Sequence, residues 1–523
     1  DIDTASRCGL PFDGPYAAGS SFEWPTSVHE VLAREGVNTG LVRSTSSGIS
    51  VITAVDLPTQ TVLWSWEAGA RAMRVSADGR WAFVLDGTAS STTVTAIDHL
   101  PSGEWRVRSD HGEIVCEHVV CATGSFARQT GAMVVTGPTA SWRSNANESG
   151  GWLAVGNLGA GHLTVEGGGY VSGSLLTIGD FYESPDSSVT VTGVGSTVEC
   201  DVLDVGRRGG HASLDVVQGG VAHGRDFVTL GVFPQFYQSP YPHAVGKGLV
   251  QGAGSELGVT AGELTVGLHT SGELTIESGG TAWSQGLCSI GRYLGGGGAV
   301  TVRGLGSSLE AGKGLSSGEV GLEVGPRFSG SLLIEQGGLV SAGQATIRIG
   351  NTEVTGVGTT TLRDPGSRLE GRALELGGAD SLTGGTGTLR IESGALVTLQ
   401  APSQIGKFGQ LVLDQGTLEA PNMVSEGTID GHGTIRADTT SALSLRPGLP
   451  IGELVIDGDL SLTKDNVLDV ELGTLATTGD HDLVTVTGNV TLDGHLRLQN
   501  VGGFVPSCGD SFDIIKASSV SGS

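Results

Sequence analysis

The fold is decided by the stretch Leu274-Thr-Ile-Glu-Ser-Gly-Gly-Thr-Ala, which returns with small changes four more times in this chain. The other copies begin at Leu163, Leu214, Leu332 and Leu389. Each copy predicts a short strand with apolar residues at alternate positions, a tight glycine-containing turn and a second short strand. Such a unit cannot bury its apolar face alone, so we predict a repeat protein built of stacked coils.

Three further families of phrases interleave with the first in an unchanging order. The second family begins at Val189, Gly248, Val300 and Thr360, with a degenerate copy at Met133; the third at Leu153, Leu203, Leu264, Leu322 and Leu374; the fourth at Thr177, Thr229, Ser289 and Arg348. One period of about 50 to 60 residues then predicts two or three coils of a parallel β-helix, at roughly 18 to 25 residues each. Leu, Val and Ile would point inward, and Thr, Glu, Ser and Arg outward.

Composition excludes several classes of function. A formal charge of −26 argues against nucleic acid as a partner, because a phosphate backbone needs a basic surface. Six cysteines are too few for a disulfide scaffold, and Cys116, His118 and Cys121 lack a second ligand pair for zinc. We expect no bound metal, no calcium site of the Gly-Gly-x-Gly-x-Asp type and no membrane span in this chain.

The order of phrases divides the chain into three segments. Residues 1–130 read as a small mixed N-terminal segment, mostly β, that caps the solenoid. In this segment we predict a short helix within Ser27–Glu35, a strand over Ile49–Asp56 and a strand pair within Arg74–Leu85. Residues 131–420 are predicted to form the parallel β-helix repeats. Residues 421–523 keep strand patterning without strict order, which predicts β-rich coils and a C-terminal cap.

The phrases of residues 131–420 resemble the repeat shared by the passenger regions of bacterial autotransporters and by surface proteins with a PEP-CTERM sorting tail. Leu445-Arg-Pro-Gly-Leu-Pro-Ile-Gly-Glu-Leu-Val-Ile resembles the end of such passengers, and Gly503-Phe-Val-Pro-Ser-Cys-Gly-Asp continues the likeness. The resemblance implies export to a bacterial cell surface or medium and an all-β fold, a right-handed parallel β-helix.

Two shorter likenesses lie in the N-terminal segment. Ile49–Asp98 is similar to one blade of a YVTN-type propeller. Ala122-Thr-Gly, at the end of the segment that starts at Trp105, is similar to the Ala-Thr-Gly strand that ends near the flavin in flavin-dependent glycine-derivative dehydrogenases. A dinucleotide site would also need Gly-x-Gly-x-x-Gly after an N-terminal strand. That phrase is missing, so no cofactor is expected.

Two groups of residues have the chemistry of a catalytic site. Parallel β-helices can host polysaccharide lyases and glycoside hydrolases, and hydrolysis needs two carboxyl groups about 5 to 9 Å apart. The candidates for such an enzyme are Asp201, Asp204, Asp215, Arg207 and His211. Asp480-His-Asp also has the residue types of an oriented base, although a solvated turn explains it equally well.

Two aromatic interruptions of the glycine-rich pattern predict a binding face. Insertions in solenoids form loops on one face, and exposed aromatic rings suit contact with sugars or proteins. The loop candidates are Phe181 and Tyr182 in one interruption, and Phe233, Phe236, Tyr237, Tyr241 and His243 in the next.

These observations predict a secreted or surface-exposed structural or adhesive protein without catalysis. Its expected partner is a glycan or a protein on a host or neighbouring cell, with self-association as a further option. The alternatives are a glycan-binding module and a carbohydrate-active β-helix enzyme. An enzyme requires carboxylates and a basic group that converge in a groove, whereas an adhesin requires evenly solvated acids.

Overall fold

The computed structural model describes residues 28–32, 39–46, 49–56, 61–67, 70–75, 82–86, 94–99, 105–109, 112–116, 131–144, 152–156, 159–180, 186–207, 210–232, 245–293, 295–350, 356–378, 384–473 and 481–522. All regular secondary structure among these residues is β-strand. The chain divides into two compact units, Asp1–His118 and Val119–Ser523.

The N-terminal unit is antiparallel in its described part. Its strands are β1 (Val28–Leu32), β2 (Thr39–Ser46), β3 (Ile49–Asp56), β4 (Thr61–Glu67), β5 (Ala70–Val75), β6 (Ala82–Asp86), β7 (Val94–His99), β8 (Trp105–Ser109) and β9 (Gly112–Cys116). Strands β1 to β4 form one sheet in sequence order, β5 pairs with β6, and β8 lies between β7 and β9.

The helix predicted within Ser27–Glu35 is wrong. Val28–Leu32 forms β1, in which Val31 lies opposite Val42 and Leu32 opposite Leu41 of β2. Pairing with a neighbouring strand therefore overrides a weak local preference for helix. The strand predicted over Ile49–Asp56 is confirmed, and the segment is β rather than mixed in its described part.

The C-terminal unit is a long series of short strands. Those as far as the middle of the repeats are β10 (Gly131–Thr136), β11 (Ser141–Ser144), β12 (Trp152–Val155), β13 (Gly161–Glu166), β14 (Tyr170–Ile178), β15 (Ser187–Thr192), β16 (Thr197–Arg207), β17 (Ala212–Val217), β18 (Val221–Val232), β19 (Val245–Gln251), β20 (Glu256–Val259), β21 (Glu263–Val266), β22 (Ser271–Glu277), β23 (Thr281–Ser284) and β24 (Cys288–Ile290).

The next strands complete the repeats. They are β25 (Gly298–Arg303), β26 (Ser308–Glu310), β27 (Val320–Val324), β28 (Ser329–Glu335), β29 (Leu339–Ser341), β30 (Thr346–Ile349), β31 (Val357–Leu362), β32 (Arg368–Gly371), β33 (Ala373–Leu376), β34 (Thr386–Glu392), β35 (Leu396–Leu399) and β36 (Ser403–Ile405).

The last strands follow the repeats. They are β37 (Gly409–Ser425), β38 (Thr428–Ser441), β39 (Ser444–Pro447), β40 (Glu453–Ile456), β41 (Leu460–Leu462), β42 (Val467–Leu472), β43 (Leu483–Val486), β44 (Asn489–Leu492), β45 (His495–Asn500), β46 (Ile515–Lys516) and β47 (Ser519–Gly522).

These strands stack on three faces, and each coil contributes one strand segment to each face. On the first face, β13, β15, β17 and β19 are successive parallel neighbours. The second face contains the first halves of β14, β16 and β18, followed by β20 and β23. The third contains the second halves of the same three strands, followed by β21 and β24. The predicted parallel β-helix is therefore confirmed.

Alternating burial creates the core. The strands β13, β15 and β17 bury every second residue, as the phrase predicts. Register then aligns the buried residues of successive coils in columns along the helix. One column of the first face consists of Leu163, Val189, Leu214, Gly248, Leu274, Val300, Leu332, Thr360 and Leu389.

The first two phrase families occupy the same face in alternate coils. Leu163 of the first family is in register with Val189 of the second, and Leu274 is in register with Val300. The period therefore contains two coils, and these coils are longer than predicted. Side-chain hydrogen bonds between neighbouring coils in residues 152–400 join residues 25 to 36 positions apart.

The turn between the first and second faces explains why the two phrases alternate. The amide of Gly279, in a first-family turn, donates to the buried hydroxyl of Ser307 in the next coil at 3.0 Å. The same bond joins Gly168 to Ser196, Gly219 to Ser255 and Gly337 to Ser367. A different contact forms where a second-family coil is followed by a first-family coil. There, the residue at the tip of the second-family turn lies over a glycine of the following first-family turn. The side chain of Leu305 covers Gly337 in this way.

The three faces continue past residue 420, where the predicted cap begins. The first coils there are shorter: Asp430 bonds to Arg446, 16 positions on, and Glu419 to Arg436, 17 positions on. Later coils are long again, and Thr485 donates to Glu453, 32 positions earlier. This change in coil length accompanies the loss of the strict order of the phrases. In the last coil, the whole of β45 is exposed.

Candidate ligand-binding cleft

The aromatic loop candidates lie outside the described residues. This applies to Phe181, Tyr182, Phe233, Phe236, Tyr237, Tyr241 and His243. His118, Cys121 and the Ala122-Thr-Gly phrase are also outside them. Their proposed roles stay predictions.

The five residues suggested for an enzyme are spread over different faces. Asp201 lies at the corner between the second and third faces, and Asp204 lies on the third face with Arg207. Asp215 is in β17 on the first face, and His211 is exposed in the turn before β17. The structure brings Asp204 and Arg207 together, but it does not bring them together with Asp215 or His211.

Asp204 is part of a buried charge cluster. Its carboxylate lies 3.5 Å from Nε of Arg207, whose Nη1 lies 3.8 Å from Asp180. Burial raises the pKa of Asp204 to about 6; Arg207 opposes this shift and Asp180 adds to it. Because Asp204 is only 7% exposed, an extended polymer has little access to it.

Of the phrase Asp480-His-Asp, Asp480 lies outside the described residues, and Asp482 stabilises the last coils. Asp482 accepts hydrogen bonds from the amides of Gly452 at 3.0 Å and Glu471 at 2.8 Å. His481 instead lies 3.2 Å from the carbonyl oxygen of Asp513. Both carboxylate oxygens of Asp482 therefore accept hydrogen bonds from backbone amides. This carboxylate does not orient the His481 imidazole, as it would have to if His481 were a general base. Burial raises the pKa of Asp482 to about 7.

A cleft of about 420 Å³ lies at the corner between the second and third faces. Its lining comes from four successive coils and consists of Tyr170, Ser172, Gly173, Ser174, Glu199, Cys200, Asp201, His223, Arg225 and Thr260. The strands β14, β16, β18 and β20 are in register, so Ser172, Glu199, His223 and Gly258 form one outward row across these coils. The cleft therefore runs along the helix axis.

Tyr170 and Glu199 form one side of the cleft. The hydroxyl of Tyr170 donates to Oε2 of Glu199 at 2.6 Å, from one coil to the next. Burial and this hydrogen bond raise the pKa of Tyr170. The guanidinium of Arg143 lies over the Tyr170 ring, 5.0 Å from its centre. The ring and the carboxylate are thus fixed before any ligand arrives.

The other end of the outward row contains an ordered aromatic cluster. Oε1 of Glu256 accepts from Nε1 of Trp283 at 2.7 Å and lies 2.8 Å from Nε2 of His223. Burial opposes the ionisation of Glu256, but these two hydrogen bonds outweigh it and its pKa is lowered. The rings of His223 and Trp283 meet edge to face at 5.5 Å. Nζ of Lys313 lies 5.3 Å from the Trp283 ring centre.

Glycine at position 258 makes space for this cluster. A Cβ atom there would lie 2.5 Å from ring carbons of Trp283 and 2.9 Å from Cδ2 of His223. Such separations are far below contact distance, so only glycine allows the indole to lie across the strand.

The corner itself contains a charge pair and a buried thiol. Nε of Arg225 lies 3.4 Å from Asp201, and its Nη2 lies 3.1 Å from Asp226. Cys200 is buried beneath them, and burial raises its pKa to about 12, so the thiol is protonated and unreactive. Cys288 is buried in the same state, whereas Cys508 is exposed.

Sequence reasoning missed Glu199, His223, Glu256 and Trp283. Together with Tyr170 they are scattered over more than a hundred positions, and only the register of the coils brings them together. The available signal was a histidine and a tryptophan at outward strand positions in a chain that is 5% aromatic. In the described ranges, no three His, Cys, Asp or Glu side chains converge as metal ligands, and no helix is long and apolar enough to cross a membrane.

No protein family matches this chain, and no curated protein matches it. Among solved structures, the chain is similar to the crystal structure of a hyper-glycosylated fragment of TibA, modified by TibC. The identity is 17% and the TM-score is 0.36, over 66% of this chain and 95% of the fragment.

Proposed function

We propose that this protein is a secreted or surface-exposed bacterial adhesin-like β-helix that binds a glycan in the cleft and does not catalyse a reaction. The observation that carries the proposal is the row Ser172, Glu199, His223 and Gly258, in which three polar side chains lie at regular spacing along an open cleft and the glycine leaves room for Trp283. Small-ligand sites typically combine a few fixed polar groups with aromatic surface. Tyr170 supplies aromatic surface in the cleft, and Trp283 supplies it one coil beyond, where it lies in register with Gly258.

Elsewhere in the repeats, acidic residues form ion pairs with arginines of the neighbouring coil. This supports a scaffold with one binding region. On the first face, Glu277 accepts from Arg303 at 2.6 Å and Glu335 accepts from Arg363 at 2.7 Å. On the third face, Glu375 accepts from Arg348 at 2.6 Å. These acids stabilise neighbouring coils, so they are not available for a ligand or a reaction.

A polysaccharide-active enzyme is the second candidate. It is favoured by the presence of Glu199, Asp201, His223 and Arg225 in one cleft. Against a glycoside hydrolase, the raised carboxyl pKa that a general acid needs is found, in the described part of the chain, at Asp204, Asp215, Glu323 and Asp482, which all lie outside the cleft.

The experiment is a glycan array probed with the wild type, Glu199→Gln and Glu273→Gln. Glu273 is an exposed first-face acid paired with Lys247 at 3.2 Å, so it controls for the loss of one surface charge. We expect glycan binding that Glu199→Gln weakens and Glu273→Gln leaves intact. Binding that is equal in all three proteins contradicts the cleft as the site. Release of reducing ends or unsaturated sugars from a bound glycan supports the enzyme instead.

A further inference from the structure

The shape of the cleft points to an extended ligand. Successive coils of a parallel β-helix are about 4.8 Å apart. The outward row that begins at Ser172 and ends at Gly258 spans four coils, which corresponds to about 14 Å along the axis. The cleft is open along this direction, so it suits a chain of several sugar residues better than a single compact molecule.

The charges of the cleft point to a neutral ligand. Two of the cationic groups near it already have acidic partners: Arg225 has Asp201 and Asp226, and Lys313 has Glu310 at 2.6 Å, while Arg143 lies over the Tyr170 ring. Glu199 adds a further negative charge, and the whole chain carries −26. A carboxylated or sulfated sugar would meet net repulsion here. A cationic sugar would have to compete with Arg225 for Asp201 and Asp226, and with Lys313 for Glu310.

The polar groups of the cleft match hydroxyl groups. Ser172, Ser174 and Thr260 present hydroxyls that both donate and accept, while the Tyr170 hydroxyl, which donates its proton to Glu199, and the Glu199 carboxylate accept. Neighbouring hydroxyl groups on a sugar ring are donors and acceptors at the same time. A carboxylate that accepts from a hydroxyl forms a charge-assisted bond, which is stronger than a neutral one.

From this geometry we infer that the cleft binds a neutral oligosaccharide in an extended conformation, parallel to the axis of the β-helix. The inference rests on the proposed glycan-binding function and specifies its ligand class. Glu199 is the main acceptor for sugar hydroxyls, and Tyr170 and Trp283 limit the two ends of the bound chain.

The test is calorimetry with three sets of oligosaccharides of equal length: neutral glucans, mannans, xylans and galactans; anionic oligogalacturonates and heparin fragments; and cationic chitosan fragments. We expect at least one neutral set to bind, about equally at low and high salt. Glu199→Gln should weaken that binding about tenfold or more. Gly258→Ala should weaken it by displacing Trp283, whereas Glu273→Gln should not change it.

The outcomes separate the two claims. Binding of only anionic or cationic sugars that Glu199→Gln weakens overturns the neutral class and leaves the glycan-binding function standing. Binding of no sugar from any set overturns both claims. Neutral binding that Glu199→Gln and Gly258→Ala leave unchanged also overturns both, because it places the glycan outside the cleft. Circular dichroism of each variant excludes misfolding as the cause of a loss.

Discussion

Arg303 lies one coil after Glu277 on the first face, and its Nε donates to Oε2 of Glu277 at 2.6 Å. The pair belongs to a row in which the first phrase family supplies glutamate and the second supplies arginine. The row consists of Glu277, Arg303, Glu335, Arg363 and Glu392. Opposite charges are thus neighbours along the whole row, where identical coils would place like charges about 4.8 Å apart.

Reversal of one charge in this row should destabilise the repeats. Arg303→Glu places three glutamates on successive coils, so we expect a loss of about 1 kcal/mol, and a smaller loss for Arg303→Gln. Arg303 is 46% exposed, so solvent screening keeps the loss small. The measurement is urea denaturation at low and high salt, where salt should reduce the difference between the two variants. Equal midpoints at low salt would show that the alternation has no energetic role.

Loss of the serine hydroxyl at a turn should cost more than loss of a neighbouring surface hydroxyl. Ser307→Ala removes the acceptor of the Gly279 amide at a site that is 1% exposed, so we expect a loss of about 1–3 kcal/mol. The control is Ser308→Ala, whose hydroxyl lies on the outward side. Hydrogen exchange at the Gly279 amide should accelerate in Ser307→Ala alone. Unchanged exchange would mean that water replaces the hydroxyl at no cost.

Removal of one buried hydroxyl should stabilise the protein. Thr360 is 0% exposed in the inward column, and its Oγ1 has no hydrogen-bond partner. Valine has nearly the same shape, so Thr360→Val should gain about 1 kcal/mol, because the cost of burying an unpaired hydroxyl disappears. Thr361→Val, at the neighbouring outward position, is the control. A loss of stability in Thr360→Val is the result that this prediction does not allow.

Asp204 should make stability fall as the pH rises. Its folded-state pKa of about 6 lies above the ordinary value of 3.8, so the folded protein holds the proton more tightly than the unfolded chain does. The stabilising contribution is complete below about pH 4 and is lost as the pH rises through about 6. Its size is about 1–3 kcal/mol. Asp204→Asn should remove this part of the pH dependence, which denaturation curves at both ends of that range would measure. The same slope in both proteins would contradict it.

The fold was largely predictable because its cause is local. The alternation of apolar and polar residues around Leu274 and Ile276 predicts which side chains face inward. Both residues are buried, as predicted. The number of coils in a period was less accessible, because the sequence does not reveal that Leu163 and Val189 share a column. The site was least accessible. Glu199, His223 and Trp283 become neighbours only through inter-coil register, which depends on the lengths of all the corners between them.

The turn contacts also require that the two kinds of coil alternate along the array. A Gly279-to-Ser307 bond and a Leu305-to-Gly337 contact are different junctions, and each joins one kind of coil to the other. Excision of a single coil would therefore bring two coils of the same kind together, without either junction and with like charges aligned. Excision of two neighbouring coils keeps the alternation, so both kinds of junction are preserved and opposite charges remain neighbours. The pair of coils is thus the smallest piece by which a gene for such a protein can lengthen or shorten without repair elsewhere.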